Sequence, residues 1–575
     1  MLKLFKYLKP YRTNVVAVLV LVFFQSLSEL FLPTLMSKIV DTGIVKGDTS
    51  YILKVGSIML LVALVGTICA IVASFLASKA AMGFGKILRR EVFTRVESFS
   101  LPEFNKFGTS SLITRTTNDI TQMQQLVMVI LRMMVSAPLM CIGGIIMAVS
   151  KDAKLSLVIV VIIPVLIAAI YLLTKKTVPL FQTMQGKLDQ LNLVLRESLT
   201  GIRVIRAFNR IDYEKERFQA ANRDLTGTAV KVFKMMAALM PFMMLLLNLT
   251  TLAIVWFGGI RIDNGYMQVG DLMAFIQYVM QIMFSLLMVS MMFVMIPRAS
   301  ASASRINEVL ETVPTIIDSE LVTSASSLRG YVEFKDVIFS YPGAEKPALK
   351  QISFTAKPGQ TTAIIGGTGS GKSSLLNLLM RFYNVDSGSI LVDGVDIKEM
   401  SQASLRAKIG YVPQKAVLFT GTIADNIRYG KEDATDEEVW QAAEVAQATE
   451  FITGMKDGIN SSIAQGGTNV SGGQKQRLSI ARALIRRPEI YAFDDSFSAL
   501  DFKTDAKLRL ALKKETLNST VLIIAQRVST VMDADQIIVL DEGEIVGVGK
   551  HQELLNSCNI YKEIVYSQLS EEELA

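Results

Sequence analysis

Six long apolar runs in the first 300 residues limit what this chain can fold into more than any other feature. They occupy positions 15–36, 55–77, 126–149, 155–173, 235–259 and 272–296. Each is close to the roughly 20 residues that an α-helix needs to cross the hydrocarbon core of a bilayer. Because lipid offers no partner for unpaired backbone groups, such runs are expected to span as helices. The pattern predicts an all-α, six-helix transmembrane domain.

The segments between the runs predict the orientation of these helices. Runs two and three, and runs four and five, are joined by long charged stretches, whereas the other connections are short. Basic residues precede the first run, at Lys3, Lys6, Lys9 and Arg12. Since basic residues mark the cytoplasmic side, an even number of spans places both termini in the cytoplasm of a bacterial plasma membrane. Helical periodicity at 88–96 and 188–206 predicts that the membrane helices continue beyond the bilayer.

The net charge of +7 does not indicate a nucleic-acid partner. Lysine and arginine are conspicuous in the N-terminal segment and the long connections, as in cytoplasmic loops. Leu4, Phe5 and Leu8 alternate with lysines there, which fits either a short amphipathic helix on the inner membrane surface or a disordered basic tip. The expected partner of the first half is therefore a lipid bilayer.

The composition changes after about residue 300. Residues 298–330, with a polar stretch at 319–327, indicate a helix end followed by a linker. From Tyr331, short β-branched strands at 332–334, 362–365 and 521–524 alternate with amphipathic helices, which is typical of an α/β domain. We therefore expect a transmembrane domain over 1–300, a linker over 301–330 and a nucleotide-binding domain over 331–575.

A phosphate-binding P-loop follows the second of these strands. It consists of Gly366, Gly367, Thr368, Gly369, Ser370, Gly371, Lys372 and Ser373, with Ser374 directly after. An apolar strand before it and a leucine-rich helix after it place backbone N–H groups at a helix N-terminus, facing the phosphates. Lys372 is expected to reach the β- and γ-phosphates and Ser373 to ligate Mg²⁺, so the cofactors are ATP and Mg²⁺.

A second apolar strand, at 490–493, ends in Asp494 and Asp495. Asp494 is expected to coordinate Mg²⁺. Between this strand and the P-loop, a helix at 475–484 is preceded by Ser471, Gly472, Gly473 and Gln474. A hydroxyl and N–H groups at a helix N-terminus suit a γ-phosphate.

Ser-Gly-Gly-Gln is the signature of the ATP-binding cassette (ABC) family, which this chain resembles. The family's landmarks fall in the same order, with Tyr341 at the adenine-stacking position, Gln414 at the Q-loop, where it offers Mg²⁺ or water a neutral oxygen, and Asp501 closing the D-loop. Six spans with two long cytoplasmic excursions resemble type IV exporters. The resemblance implies a half-transporter whose signature contacts ATP on the P-loop of a second subunit.

Two positions depart from the family pattern at the centre of the site. Asp495 stands where the family normally has the glutamate that polarises the attacking water, and Gln526 stands where it has the switch histidine. The only histidine, His551, lies too far along the chain to be that switch and is expected to be structural. Gln465 replaces a glutamate that many exporters carry before the signature. The pattern predicts a site that binds ATP but hydrolyses it slowly.

Such asymmetry resembles one subunit of the heterodimeric bacterial multidrug exporters, which implies a different second half-transporter and an amphipathic substrate. A homodimeric lipid or peptide exporter and an ATP-gated channel or regulatory subunit remain as alternatives. Glu29, with Gln25 one turn earlier, lies within the first run and forms either a cation-accepting cavity or a structural pair. Arg132 is expected to snorkel or to face an aqueous cavity. Nearly half of the 28 methionines lie at 231–296, where they either pack between helices or line an adaptable site.

Overall fold

The computed structural model describes residues 1–318 and 328–568, apart from the side chains at 170, 173, 174, 178, 239, 240 and 290–294. The predicted polar stretch at 319–327 lies outside the described residues. The chain forms two compact units. The first comprises Met1–Glu97 and Thr109–Thr312, and the second comprises Ser98–Gly108 and Val313–Ala575.

Helices account for almost all of the first unit. In chain order the helices up to residue 311 are α1 (Arg12–Lys38), α2 (Thr49–Glu97), α3 (Leu101–Phe107), α4 (Thr109–Thr114), α5 (Ile120–Lys151), α6 (Leu157–Thr200), α7 (Ile202–Ala207), α8 (Ile211–Asp263) and α9 (Val269–Glu311). Of these, α3 belongs to the second unit. A 3₁₀ helix (Leu2–Tyr11) precedes α1, and π-helical segments (Ile39–Ile44 and Arg115–Asp119) follow α1 and α4.

The six predicted spans fall in α1, α2, α5, α6, α8 and α9. Among the described residues, five helical stretches are long and apolar enough to cross a membrane: Leu2–Ile44, Thr49–Glu97, Thr109–Lys151, Ile211–Asp263 and Val269–Val289. The described part of α6 adds a shorter apolar stretch, Leu157–Ala169. The expected all-α transmembrane domain is confirmed.

The two long connections between the apolar runs are largely helical, as predicted. The pattern at 88–96 lies within α2, but the pattern at 188–206 is broken between α6 and α7. The break falls at Gly201, where a Cβ atom would lie 2.9 Å from the carbonyl oxygen of Glu197. At the N-terminus, Leu4 is buried in the 3₁₀ helix. The helical alternative for this segment is therefore the one that the structure adopts.

Ion pairs connect the ends of the helices in the first unit. Asp152, which follows α5, accepts hydrogen bonds from the N–H of Leu155 (2.8 Å) and from Nε of Arg261 on α8 (2.8 Å). Lys151 donates to Asp271 of α9 at 2.6 Å. Such contacts give hydrogen-bond partners to backbone groups at the helix ends and to charged side chains beyond the apolar part of each helix.

The second unit is an α/β domain. Its strands are β1 (Val332–Phe339), β2 (Leu349–Ala356), β3 (Thr361–Gly366), β4 (Ser387–Val392), β5 (Val395–Asp396), β6 (Ile409–Val412), β7 (Gly421–Thr422), β8 (Ser462–Ile463), β9 (Ile490–Asp494), β10 (Thr520–Ile524), β11 (Gln536–Asp541) and β12 (Glu544–Gly549). Its further helices are α10 (Lys372–Leu379), α11 (Gln402–Ala407), α12 (Ile423–Arg428), α13 (Asp436–Val445), α14 (Thr449–Thr453), α15 (Gly472–Leu484), α16 (Phe502–Glu515), α17 (Val528–Val531), α18 (His551–Ser557) and α19 (Asn559–Tyr566). All four predicted strands are present, as β1, β3, β9 and β10.

These strands form two larger sheets and one small antiparallel pair, β7 with β8. Four antiparallel strands run in the order β2-β1-β4-β5, and six run in the order β12-β11-β3-β10-β9-β6, in which only β12 is antiparallel. Ile524 at the end of β10 pairs with Ile364 of β3 and with Asp494 of β9. Because parallel strands end at the same edge, the residues that follow β3, β9 and β10 meet there.

Helix α3 packs within the second unit although it lies in the first long connection of the membrane half. A capping box joins Ser100 and Glu103 at its start, and the carboxylate of Glu103 also accepts the N–H of Thr315 at 3.2 Å. Leu101 packs against the β-strand core. Asn105 donates to the hydroxyl of Tyr383 at 3.3 Å. The domain limits expected from the sequence assigned this segment to the transmembrane domain, whereas in the structure Ser98–Gly108 belongs to the second unit.

Candidate nucleotide-binding site

The P-loop connects β3 to α10 and depends on glycine at two points. A Cβ atom at Gly366 would lie 2.1 Å from the carbonyl oxygen of Leu540, and one at Gly371 would lie 2.7 Å from that of Ala348. Gly371 also has φ of +95°, a conformation that other residues rarely adopt. The loop therefore keeps its backbone N–H groups at the start of α10, where they can bind phosphate.

Lys372 is the first residue of α10 and turns back into the loop. Its ammonium donates to the carbonyl oxygens of Gly366 (2.9 Å) and Gly367 (2.5 Å), with the hydroxyl of Ser370 at 3.4 Å. Burial lowers the pKa of Lys372, and the nearby Asp495 and Asp494 oppose that shift. The ammonium is thus a buried donor placed inside the loop that is expected to receive phosphates.

Ser373 and Asp494 come together from different elements, as the sequence predicts. The Ser373 hydroxyl donates to Oδ1 of Asp494 at 2.8 Å. Burial raises the pKa of Asp494, against the hydrogen bond from Ser373, and the neighbouring Asp495 raises it further. A desolvated carboxylate beside a hydroxyl is a set of hard oxygen donors, which fits Mg²⁺.

Asp495 brings two predicted site residues together. Its Oδ2 accepts hydrogen bonds from Nε2 of Gln526 at 3.0 Å and from Nε2 of Gln414 at 3.3 Å. Its backbone N–H donates to the carbonyl oxygen of Ile524 at 2.9 Å, and its φ is +45°. Left-handed backbone at a residue other than glycine is uncommon and is concentrated at functional sites. The two family departures are therefore direct neighbours in one hydrogen-bonded group.

Gln568, which the sequence did not indicate, hydrogen-bonds to the backbone on either side of Arg527, next to Gln526. Its Nε2 donates to the carbonyl oxygen of Gln526 and its Oε1 accepts the N–H of Val528, both at 2.8 Å. No local pattern marks this residue, because the two partners are 42 and 40 positions away along the chain.

Tyr341 lies beside the P-loop helix. Its hydroxyl is 2.9 Å from the Ser374 hydroxyl, and its ring meets the edges of Tyr383 (5.3 Å between centroids) and Phe339 (4.8 Å). These edge-to-face contacts hold the Tyr341 ring in place by packing. Tyr383, which sequence reasoning missed, connects this group to Asn105 of α3.

The signature forms the start of α15. Ser471 is the N-cap residue, its backbone N–H donating to Oε1 of Gln474 (2.8 Å) while its hydroxyl accepts the N–H of Gln474 (3.3 Å). A Cβ atom at Gly472 would meet nothing within 4 Å, whereas one at Gly473 would lie 3.1 Å from the carbonyl oxygen of Ala499. Within the described part of the chain, no hydrogen bond connects residues 471–474 with residues 366–374.

Three other residues of the nucleotide-binding domain that the sequence analysis named are Asp501, Gln465 and His551. Asp501 caps α16 by accepting the N–H of Thr504 at 2.9 Å, and this hydrogen bond lowers the pKa of its carboxyl. Gln465 is exposed in a short 3₁₀ turn. Nδ1 of His551 is 2.7 Å from the Tyr561 hydroxyl, and burial lowers the pKa of the histidine. This packing agrees with the structural role expected for His551.

Two charged residues of the membrane half were also singled out by the sequence. Glu29 is half-buried and accepts a hydrogen bond from Gln25 at 2.9 Å, and Arg132 donates to the Ser74 hydroxyl at 3.2 Å. Neither forms an ion pair with any described residue. Among the methionines of α8 and α9, Met243 and Met283 are buried in an apolar cluster, as packing between helices requires.

The geometry of the second unit defines the class of protein. A P-loop leaves a parallel strand, an acidic pair ends a strand of the same sheet, and both meet at one edge beneath α10. That arrangement is the nucleotide-binding site of a P-loop ATPase domain, here in a chain whose other half is a bundle of apolar helices.

Comparison with known proteins identifies the family. Residues 15–286 match the ABC transporter transmembrane region, and residues 349–498 match the ABC transporter family. An ABC transporter ATP-binding protein of Mycobacterium tuberculosis is 44% identical over 567 residues, covering 98% of this chain and 97% of the relative. YfiB of Bacillus subtilis, another ABC transporter ATP-binding protein, is 41% identical over 572 residues, covering 100% of this chain and 99% of its own length.

Two further matches cover most of the chain. A fatty acid ABC transporter ATP-binding/permease protein of Mycobacterium tuberculosis is 34% identical over 475 residues, covering 82% of this chain and 75% of the relative. The solved structure of a bacterial Atm1-family ABC exporter with ATP bound has a TM-score of 0.81 at 27% identity, covering 97% of this chain and 99% of that one. The type IV exporter fold expected from the sequence is confirmed.

This chain belongs to the ABC exporters and has the half-transporter architecture of one transmembrane domain followed by one nucleotide-binding domain. It is therefore a multi-pass membrane protein that couples ATP hydrolysis to transport. Exporters of this family sit in a lipid bilayer and dimerise, which brings two nucleotide-binding domains together.

Proposed function

We propose that this chain is the degenerate-site half of a heterodimeric exporter, which moves amphipathic or hydrophobic compounds out of a bacterial cell across its plasma membrane. The observation that carries this proposal is the group formed by Asp495, Gln526 and Gln414. Here an aspartate stands at the position of the water-activating residue, and a glutamine stands at the position of the switch residue.

Aspartate and glutamine at these two positions are expected to slow ATP hydrolysis more than they weaken ATP binding. Aspartate is one methylene shorter than glutamate, and a displacement on the order of 1 Å can cost ~10²-fold in rate. One oxygen of Asp495 is already shared by two amide donors, so it is less available to orient water. Gln526 can donate a hydrogen bond to a phosphate, but it supplies neither a positive charge nor a titratable proton.

The groups that bind nucleotide are intact. Lys372 supplies a buried ammonium, Tyr341 an aromatic face for adenine, and the P-loop its N–H groups. Ser373 and Asp494, with Gln414 nearby, would hold Mg²⁺, which when bound neutralises charge on the phosphates. In this proposal the chain holds Mg-ATP for long periods at its own site.

The signature serves the other site of the dimer. Gly472 is open to its surroundings, and Ser471 and Gln474 satisfy each other, so α15 presents its N-terminal N–H groups outward. In this family the signature meets ATP on the partner's P-loop. A partner with the usual glutamate and histidine would then hydrolyse ATP with the help of this chain.

In this proposal both termini lie in the cytoplasm, an orientation that the basic N-terminal segment and the even number of predicted spans support. The C-terminal nucleotide-binding domain must lie in the cytoplasm to reach cellular ATP, and an even number of spans would then put the N-terminus on the same side. A protease protection experiment on sealed cells, with a tag at either end, checks this point.

The heterodimer is tested by purifying a tagged chain from the membranes of its own host. We expect one stoichiometric second half-transporter, with glutamate and histidine at the positions that correspond to Asp495 and Gln526. If two differently tagged copies of this chain co-purify and no other half-transporter is present, the protein is a homodimer and the proposal is wrong.

A homodimeric lipid exporter is the second candidate. The lipid substrate of this candidate is supported by the fatty acid ABC transporter of Mycobacterium tuberculosis that is 34% identical to this chain. ATP-dependent uptake of labelled fatty acid into inverted vesicles containing this chain alone would support it. Uptake against a gradient would also exclude an ATP-gated channel, which only allows equilibration.

A further inference from the structure

Two cavities in the membrane half share the same two charged side chains. One, of about 550 Å³, lies among α1, α5 and α9, and the other, of about 440 Å³, lies among α1, α2 and α5. Glu29 of α1 and Arg132 of α5 line both cavities. Volumes in this range hold ligands the size of a drug or a short lipid.

Neither charge is compensated within the described part of the chain. Gln25 donates to one oxygen of Glu29, and Arg132 is bonded to the neutral Ser74, but no described side chain of opposite charge lies within 4.0 Å of either. Charged side chains within membrane helices are normally paired or face a polar pathway. Two opposite, unpaired charges on the same cavities therefore point to a ligand that brings the countercharges.

A buried amide adds a third polar group. Gln281 of α9 lines the larger cavity and donates to the backbone carbonyl oxygen of Glu29 at 3.2 Å. Its own Oε1 is buried and has no hydrogen-bond partner among the described residues. A buried acceptor without a donor is unfavourable, so a ligand N–H or hydroxyl would be stabilised there.

The rest of the larger cavity is apolar and adaptable. Met128, Met133 and Met140 of α5 line it together with Phe284 and Met288 of α9. Unbranched thioethers and an aromatic ring accommodate alkyl chains of varied shape. The apolar wall suits the body of an amphiphile, and the charged residues suit its head group.

We propose that this cavity binds amphiphiles whose head group carries both a positive and a negative charge, with the cation at Glu29 and the anion at Arg132. A simple cation would leave Arg132 uncompensated and add a like charge to the cavity. A simple anion would do the same beside Glu29. The zwitterion is the one charge class that satisfies both residues. This inference rests on the proposed export function and names its substrate class.

The test uses three probes that share one fluorescent alkyl chain and differ in their head group, which is phosphocholine, trimethylammonium or sulfate. Binding to the purified transporter complex in nanodiscs is measured by fluorescence anisotropy without ATP, with empty nanodiscs as the blank. We expect the phosphocholine probe to bind about tenfold more tightly than either singly charged probe, since each lost charge contact costs at least that much.

Matched variants then assign each charge. Glu29→Gln should abolish the preference for phosphocholine over sulfate, and Arg132→Gln should abolish the preference for phosphocholine over trimethylammonium. Ser136→Ala, which removes an uncharged lining group of the larger cavity, should leave the order of the three affinities unchanged.

Equal affinities for the three probes in the unmodified complex would overturn the assignment. So would variants that weaken all three probes equally, because that result indicates helix packing rather than charge recognition. ATP-driven uptake of the phosphocholine probe into inverted vesicles separates the two proposals. Selective binding without any uptake would support the zwitterion-binding site and refute the proposed export of such amphiphiles.

Discussion

Gly472→Glu offers a direct test of the role of the signature. Gly472 is the first residue of α15, follows the N-cap Ser471, and has no atom within 4 Å of the position where a Cβ would lie. A longer side chain therefore fits without displacing its neighbours in this chain. A carboxylate in the first turn of a helix is also favourable, by about 0.3–1 kcal/mol. The folded chain should not lose stability.

The same carboxylate opposes a triphosphate brought by a partner subunit. Two unit charges about 5 Å apart repel by roughly 3 kcal/mol at an effective dielectric constant of about 20, which corresponds to roughly 10²-fold in an equilibrium constant. We therefore expect Gly472→Glu to reduce the steady-state ATPase activity of the purified complex by about that factor. Gly472→Gln has nearly the same size without the charge and should retain much more activity.

The measurement is ATPase activity at saturating ATP, with the thermal midpoint of each variant as a check on folding. Equal losses in the two variants would mean that size, and not charge, blocks the site. Normal activity in both would mean that α15 does not meet a nucleotide, and the proposed division between two unequal sites would be refuted.

Three further predictions concern the nucleotide-binding unit. Lys372→Ala should weaken binding of labelled ATP to this chain, because it removes the buried ammonium from the P-loop, and unchanged binding would refute that assignment. Asp495→Asn should lower the ATPase activity of the complex only modestly, whereas Ser471→Ala should nearly abolish it, and the opposite order would favour a homodimer that hydrolyses ATP at this chain's own site. His551 has a pKa below its ordinary value of 6.5 because of burial, so the unfolded chain binds a proton more readily and stability should fall as the pH drops below about 6.5. The thermal midpoint of the protein, measured over a pH series, reports this effect, and the His551→Gln variant should show a weaker dependence on pH. An identical pH dependence in both proteins would contradict the prediction.

The sequence was sufficient for features that depend on short stretches of chain. Six apolar runs predicted the membrane helices because a bilayer requires both length and apolar composition, whatever the helices pack against. The P-loop at 366–373 was equally clear, since a strand, a glycine-rich turn and a helix are consecutive in the chain. The family followed from the same motifs and their order.

Other features were decided by chain segments that meet only in the folded protein. Gln568 holds the backbone around Gln526 from 42 positions away, and α3 packs beside the strand core of a domain that begins more than 200 residues later. Asp495 became the centre of a hydrogen-bonded group only because parallel pairing brings β9 next to β10. Likewise, Glu29 and Arg132 line the same cavities because α1 and α5 pack together. Local sequence patterns report periodicity and composition over a few turns, whereas these contacts depend on strand order and helix packing, which tertiary structure alone determines.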